Sequence, residues 1–174
     1  MGEFWVFGYG SLMWRPGFVH EEHRLARVHG YRRALCVRSY VHRGTRACPG
    51  LVLGLDRGGS CLGVAFKVAE PLRDEVLAYL RERELVTNVY HERVVPVRFA
   101  DGEAVNAVVY VVDRSHPQYA GSLGVEEAAE IVLGATGEAG PNRDYLINTA
   151  RHLGQLGIRD AWLEGVAAEV LRRR

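Results

Sequence analysis

Near its N-terminus the chain reads Trp5-Val6-Phe7-Gly8-Tyr9-Gly10-Ser11-Leu12. The apolar first half predicts a short strand over residues 4–8, and the alternating glycines predict a turn immediately after it. Because glycine adopts positive φ and admits a ligand close to the backbone, the N–H groups of such a turn can hold a carboxylate or an oxyanion. A tight turn after an edge strand, without a ligand, accounts for the same residues. The stretch by itself leaves both interpretations open.

The spacing of this turn excludes three familiar motifs. It lacks the Gly-x-x-x-x-Gly-Lys-Ser/Thr of a nucleotide P-loop. Met13 stands where Gly-x-Gly-x-x-Gly needs its last glycine, and Tyr9 stands where the hydrolase motif Gly-x-Ser-x-Gly needs its first. No serine or cysteine nucleophile is therefore indicated by a motif.

Beyond the turn, strand patterns come first and helical patterns follow. The predicted strands are 25–40 (or a hairpin around Gly30), 51–55 and 62–68 joined as a hairpin across 57–60, and 89–99 and 105–112 joined across 100–102. The predicted helices are 71–84, 125–135, 142–155 with Asn142 as its cap, and 160–171 with Asp160 as its cap. Strands first and helices last predict an α+β fold.

Length and composition predict one domain over residues 1–174, and the helical pattern predicts a final helix at about 160–171. Of the 174 residues 48% are hydrophobic, and the net charge of +1 excludes a strongly basic nucleic-acid binder at the level of the whole chain. The three cysteines form no close pair, which argues against a secreted disulfide framework. Without a signal peptide or a membrane-spanning segment, we expect a cytoplasmic protein with no membrane partner. From its length and charge we expect a monomer.

One carboxylate continues an apolar helix face. In the predicted helix 71–84, residues three, four or seven apart share a face, and the apolar ones are Leu72, Val76, Leu77 and Leu80. Glu84 follows Leu80 by four positions and extends this stripe. A carboxyl group there would be partly desolvated, which raises its pKa and suits a general base. A frayed last turn that points Glu84 to water is an equally good interpretation of the pattern.

Two further features favour simpler explanations. His20 and His23 are spaced like a metal pair, yet no third ligand follows at a useful distance, so a polar loop is favoured. A basic stretch free of acidic residues offers phosphate contacts, but exposed strand faces explain it better. It comprises Arg24, Arg27, Arg32, Arg33, Arg38, Arg43 and Arg46.

Several segments of the sequence occur in the same order as the characteristic motifs of one known family. They are 5–12, Ser39, His42-Arg43-Gly44, Pro49-Gly50, 63–66, Tyr79-Leu80, Arg83-Glu84, 116–119 and 142–146. They resemble the ChaC-like γ-glutamylcyclotransferases, the glutathione-specific branch of the cyclotransferases. The resemblance covers about residues 4–150, which it implies are the core of the domain. It also implies a small mixed β-barrel with surrounding helices and a pocket at its mouth.

The resemblance also implies a reaction and its residues. The enzyme would be of lyase type, releasing 5-oxoproline and Cys-Gly from glutathione by attack of the substrate's own α-amine, with no metal and no cofactor. Glu84 matches the family's catalytic glutamate, and Glu75 matches an acid often present in the family. The implied substrate contacts are Val6, Phe7, Gly8, Tyr9, Gly10, Ser11 and Leu12, together with Arg43, Tyr119 and Tyr145.

Two segments depart from the family pattern and leave substrate preference open. Arg46 and Ala47 stand where Pro-Gly is usual, and residues 85–90 form a longer segment than in some members. The alternatives are a cyclotransferase for another γ-glutamyl amine, or a non-catalytic binder of acidic ligands or RNA.

Overall fold

The computed structural model describes residues 3–85 and 88–173, so Val86 and Thr87 of the departing segment 85–90 lie outside the described residues. The strands are β1 Phe4–Gly8, β2 Glu22–Ser39, β3 Gly50–Val68, β4 Tyr90–Phe99, β5 Ala104–Val112, β6 Thr136–Gly137 and β7 Gly140–Pro141. The helices are α1 Arg73–Glu84, α2 Val125–Gly134, α3 Asn142–Gln155 and α4 Ala161–Arg172, and short 3-10 turns cover Ser11–Met13 and Glu70–Leu72. The predicted α+β class is confirmed.

Five strands form a closed barrel in the order β1-β3-β2-β4-β5. Strand β1 is antiparallel to β3, with Phe4 opposite Val68, and parallel to β5, with Val6 opposite Val108. Strands β4 and β5 form the predicted hairpin. Strand β1 therefore has a neighbour on both edges: it pairs with β5 at Trp5 and Val6, and with β3 as far as Gly8, where the turn begins.

The predicted hairpin across residues 57–60 is wrong. Strand β3 runs unbroken from Gly50 to Val68, and Gly58 and Gly59 lie within it at φ of +101° and +66°. Strand β2 likewise continues through Gly30 at a φ of +90°, as a long strand and not a hairpin. Glycine at positive φ lets a strand bend while its pairing continues, so a turn signal marks a bend here.

The chain divides into two compact units. The first comprises the chain up to Arg33 together with Leu55–Asp113. An apolar cluster in this unit joins the barrel wall to α1 and to the turn after β1. The buried members are Phe4, Val6, Leu12, Val68, Val76, Leu80, Val108 and Tyr110. The helix face predicted to be apolar is therefore the face that packs on the strands.

The second unit comprises Ala34–Gly54 and the chain from Arg114 onward, and within it α2, α3 and α4 pack on one another. Asp160 caps α4 as predicted, since its carboxylate accepts a hydrogen bond from the Leu163 N–H at 3.0 Å. The predicted cap at Asn142 is wrong. Asn142 is the first residue of α3, and its buried amide pairs with the N–H and the C=O of Leu51, both at 2.8 Å. The side chain is used to complete a strand edge and is not available as a cap.

None of the three cysteines forms a disulfide; Cys36 and Cys61 are buried and Cys48 is exposed. Among the described helices, none is both long enough and apolar enough to cross a lipid bilayer.

Candidate active site

The turn after β1 folds back over its own first glycine. A Cβ on Gly8 would lie 3.0 Å from Cβ of Leu12, and the Met13 N–H donates to the Gly10 carbonyl at 2.9 Å. Neither Gly8 nor Gly10 has a positive φ, contrary to the conformational role expected from the sequence. Gly8 is needed instead for close approach, because a side chain at this position would crowd the 3-10 turn.

A buried arginine fixes the orientation of this turn. Arg33 of β2 donates from Nε to the Tyr9 carbonyl at 2.7 Å and from Nη2 to the Leu62 carbonyl at 2.6 Å. Across a trans peptide the N–H points away from the carbonyl, so the Gly10 N–H points away from Arg33. The arginine thus determines which way the backbone donor of the turn faces.

The burial of Arg33 was not predicted, because the sequence analysis grouped Arg33 with the exposed basic residues. Only 6% of it is exposed. A signal was present, because Arg32 and Arg33 are consecutive in a strand and must point to opposite faces. One of the two therefore had to face the interior. Arg32 is the one that faces out, at 3.5 Å from Asp56.

Glu84 is the last residue of α1 and is mostly buried, with 18% of its side chain exposed. The structure thus favours the continued stripe over the frayed turn. Burial raises the pKa of the Glu84 carboxyl, and the Arg83 guanidinium, whose Nε lies 3.5 Å from Oε1, opposes that rise. The carboxyl group is therefore a stronger proton acceptor than an exposed glutamate.

Arg83 connects α1 with the turn after β1. Its Nη2 donates to Ser11 Oγ at 2.9 Å. Its Nη1 donates to the carbonyls of Arg15 at 2.7 Å and Pro16 at 3.3 Å, and to the Tyr79 hydroxyl at 3.1 Å. The structure therefore brings two sequence candidates together, the glycine-containing turn and the end of the helix that carries Glu84.

A second polar network lies beside Glu84. Arg81 holds Glu92 through two hydrogen bonds of 3.0 Å, and the Tyr110 hydroxyl donates to Glu92 Oε1 at 2.8 Å. Arg81 lowers the pKa of Glu92. Burial raises the pKa of Tyr110, as do its bond to Glu92 and the nearby charge of Glu84. The Glu92 carboxylate is thus ionised and engaged by Arg81 and Tyr110, whereas burial favours the protonated form of Glu84.

A cleft of about 510 Å³ borders the same helix. Its lining residues are Gly17, Phe18, Val19, Leu72, Glu75, Val76 and Tyr79. A Cβ on Gly17 would lie 2.0 Å from the Tyr79 hydroxyl, so glycine at this position makes room for the tyrosine that Arg83 contacts. Glu75 is exposed at the wall of this cleft.

The other candidate residues belong to the second unit. Arg43 lies with its guanidinium carbon 5.7 Å from the ring centre of Tyr145, and its Nη1 donates to the Pro141 carbonyl at 3.2 Å. The Tyr145 hydroxyl accepts a hydrogen bond from the Leu53 N–H at 2.9 Å. Tyr119 forms a bridge with Val37 and lies under the guanidinium of Arg114. Arg43 and Tyr145 are therefore brought together, and Tyr119 pairs with a residue of β2.

The histidine pair is an aromatic contact. The rings of His20 and His23 are 5.6 Å apart, and His20 packs edge-on against Phe66 at 4.9 Å. Within residues 3–85 and 88–173, no three His, Cys, Asp or Glu side chains come close enough to hold a metal ion.

Comparisons with known proteins agree on one family. The family described as "ChaC-like protein" matches residues 4–173. The chain is 35% identical over 169 residues to the glutathione-specific gamma-glutamylcyclotransferase of Escherichia coli (strain K12), covering 97% of this chain and 73% of that protein. It is 35% identical over 150 residues to glutathione-specific gamma-glutamylcyclotransferase 1 of Homo sapiens, covering 84% and 68%.

A solved structure agrees with the fold. The crystal structure of a yeast gamma-glutamylcyclotransferase specific to glutathione superposes with a TM-score of 0.88 at 22% identity, covering 100% of this chain and 98% of the yeast one. The order of motifs, the closed barrel and the match over residues 4–173 lead to one conclusion. The chain belongs to the ChaC-like protein family.

Proposed function

We propose that this protein is a γ-glutamylcyclotransferase that converts glutathione to 5-oxoproline and Cys-Gly, with Glu84 as general acid and base. The observation that carries the proposal is the placement of a largely buried carboxylate beside the turn after β1, joined to it through Arg83. The relatives named as glutathione-specific enzymes support the substrate.

The reaction needs one proton acceptor and one site for negative charge. The α-ammonium of the γ-glutamyl group loses a proton to Glu84, and the free amine attacks the γ-carbonyl carbon. The ring C–N bond forms, the ring nitrogen gives up a second proton, and the amide C–N bond breaks. Glu84 passes both protons in turn to the departing nitrogen, so Cys-Gly leaves as an ammonium and the lactam nitrogen keeps one hydrogen. Atoms and charge balance without an acyl-enzyme, so no side-chain nucleophile, metal or organic cofactor is required.

The turn would bind the substrate and stabilise the oxyanion. The contact between Arg33 and the Tyr9 carbonyl directs the Gly10 N–H away from that arginine, which suits a backbone donor for a ligand. We assign Val6 to Leu12 to substrate binding on this basis. Because the attack closes a five-membered ring within one molecule, orientation alone can supply much of the acceleration.

The test is release of 5-oxoproline from reduced glutathione, with Glu84→Gln as the principal variant. We expect turnover by the native protein and a loss of about 10²- to 10⁴-fold in the variant. Glu82→Gln is the matched control, because Glu82 is an exposed residue on the same turn of α1 and should keep full activity.

Other outcomes would redirect the proposal. Turnover by both proteins would retain the reaction and remove Glu84 as its base, with Glu75→Gln tested next. No turnover by a folded native protein would exclude glutathione, and a panel of other γ-glutamyl amides would follow. Salt-dependent RNA retention with no turnover of any amide would favour the non-catalytic binder.

The substrate contacts in the second unit are proposed separately. Arg43, stacked on the Tyr145 ring, offers a cation suited to a carboxylate. If it contacts the substrate, Arg43→Gln should raise KM and leave kcat nearly unchanged. An unchanged KM would remove Arg43 from the binding residues, and Tyr119→Phe and Tyr145→Phe are judged in the same way.

We also propose a cytoplasmic monomer whose partner is its small-molecule substrate. Two arginines of the basic stretch already have acidic partners, Arg24 with Asp101 at 3.1 Å and Arg32 with Asp56 at 3.5 Å, which supports a role without nucleic acid. Light scattering that gives the mass of two chains would contradict the monomer.

A further inference from the structure

Arg83 is next to the proposed base in sequence and contacts the turn in space. Its guanidinium reaches four hydrogen-bond acceptors: Ser11 Oγ, the carbonyls of Arg15 and Pro16, and the Tyr79 hydroxyl. Its Nε lies 3.5 Å from Glu84 Oε1. The chain segment after β1 and the Glu84 carboxylate are therefore both in contact with one side chain.

We propose that Arg83 is a positioning residue with two separable roles: its planar fork holds the turn against the end of α1, and its charge faces the Glu84 carboxylate. The proposal deepens the proposed function and rests on it, because Arg83 would act on the reaction through Glu84.

The first role depends on the shape of the guanidinium group. Arginine presents five N–H donors in a rigid plane, so it can serve acceptors in different directions at once. A lysine ammonium carries the same charge on a flexible stem and cannot reach all four acceptors. Arg83→Lys therefore keeps the charge and loses most of the fork.

The second role depends on the charge beside a desolvated acid. Burial disfavours the ionised carboxyl, and a nearby cation favours it. Among the described residues, the charged or titratable groups that act on the Glu84 carboxyl are Arg83 on its own helix and Tyr110 on β5. Tyr110 is itself hydrogen-bonded to Glu92 of β4, whose charge Arg81 balances. Arg83 is thus the cation positioned to keep Glu84 ionised and ready to accept a proton.

The experiment compares Arg83→Lys and Arg83→Gln with the native protein across pH. The acid limb of kcat/KM reports the base of the free enzyme. We expect both variants to lose about 10- to 100-fold in kcat/KM on the plateau, since a misplaced site is costly. The acid limb should stay in place for Arg83→Lys and move to higher pH for Arg83→Gln.

A readout without turnover makes the result independent of the substrate. Carbon-13 NMR titration of the Glu84 carboxyl, assigned by its absence in Glu84→Gln, should give a higher midpoint in Arg83→Gln than in the native protein. An unchanged midpoint would overturn the charge role. Arg83→Lys with full kcat/KM would overturn the fork role. If the native protein released no 5-oxoproline, the NMR titration would still decide the charge role, and the proposed function would fail by itself.

Two further variants separate the two roles and control for the loss of an arginine. Ser11→Ala removes one acceptor of the fork without changing any charge, so kcat/KM should fall while the acid limb stays in place. Arg159→Gln changes an arginine that is 84% exposed and should alter neither quantity. A shift of the acid limb in Ser11→Ala would contradict the separation of the two roles.

Discussion

At the scale of single residues, the burial of the Glu84 carboxylate lowers the free energy of unfolding at neutral pH. Its pKa is raised by burial, so the native state binds more protons than the unfolded chain between the ordinary pKa of a glutamate and the raised one. The free energy of unfolding therefore falls as pH rises through that window and remains lower above it.

Glu84→Gln should consequently stabilise the protein while it inactivates it. The amide avoids the cost of burying a charge, so the melting temperature should exceed that of the native protein at pH 8, and the difference should shrink toward pH 4. Differential scanning calorimetry across this range is the measurement, with Glu82→Gln as the exposed control. A variant less stable than the native protein at pH 8 would show that contacts of the carboxylate outweigh its desolvation.

The Asn142 side chain takes the place of a neighbouring strand, because its amide pairs with the backbone N–H and C=O of Leu51. Asn142→Ala leaves the N–H and C=O of Leu51 without their partner in a buried position. We expect a loss of about 1–3 kcal/mol in the free energy of unfolding, measured by urea denaturation. Asn148→Ala, at an exposed position of the same helix, should change it by less than about 0.5 kcal/mol. Equal effects of the two changes would contradict this account.

From the sequence, burial of Glu84 was one of two equally good interpretations, whereas burial of Arg33 was not predicted. An apolar stripe on a helix has a clear period, and Glu84 falls on it. Arg33 is buried because its guanidinium donates to two carbonyl groups, which are backbone atoms of residues distant in sequence. Residue type gives no sign of such partners, although the strand alternation did require one of two adjacent arginines to face inward. Whether Glu84 is the base stays a prediction.

At the scale of elements, the approach of two strands controls the start of the turn. A Cβ on Gly63 would lie 2.3 Å from the Gly8 carbonyl and 2.7 Å from the Phe7 ring. Strands β1 and β3 pair at this point, with Gly8 opposite Val64. Any side chain at position 63 must therefore displace the end of β1.

Gly63→Ala should cost about 1–3 kcal/mol in unfolding free energy, as overpacking does, and should reduce kcat/KM for glutathione. Gly154→Ala is the opposite case, because a Cβ there meets no atom within 4 Å and the residue lies in α3. It should gain about 0.5–1 kcal/mol from helix propensity and leave activity unchanged. Thermal denaturation and the 5-oxoproline assay, run on both variants, give the comparison. A stable and fully active Gly63→Ala protein would contradict the close approach.

Elements were well predicted where one pattern dominates. The hairpin of β4 and β5 and the helix α1 follow from alternation and from helical period. The hairpin across residues 57–60 failed because Gly58-Gly59 signals positive φ in a bend as well as in a reversal. Only the pairing of the whole strand distinguishes a bend from a reversal. That pairing depends on partner strands far away in the sequence.

At the scale of the whole molecule, the fold class and the family could be predicted because the motifs extend over most of the chain in one order. The resemblance and the α+β class are confirmed. The single domain over residues 1–174 stays a prediction. The contacts of Arg83 with Ser11, Arg15 and Pro16 could not be foreseen, since they join segments about 70 positions apart.

The absence of disulfides among the three cysteines leads to a prediction about the stability of the whole molecule. Because none of the three cysteines forms a disulfide, stability should not depend on a covalent cross-link. The melting temperature in the presence of a reducing agent should equal that in its absence, as measured by scanning calorimetry on freshly purified protein. A lower melting temperature under reducing conditions would contradict it.

The different exposure of those thiols provides a built-in labelling scheme. Under native conditions a maleimide dye should attach to Cys48 and spare Cys36 and Cys61, so each chain carries one fluorophore without any engineering. After local or global opening, the reagent count measured by mass spectrometry should rise toward three. The time at which the second and third labels appear then records how often the interior becomes accessible to solvent.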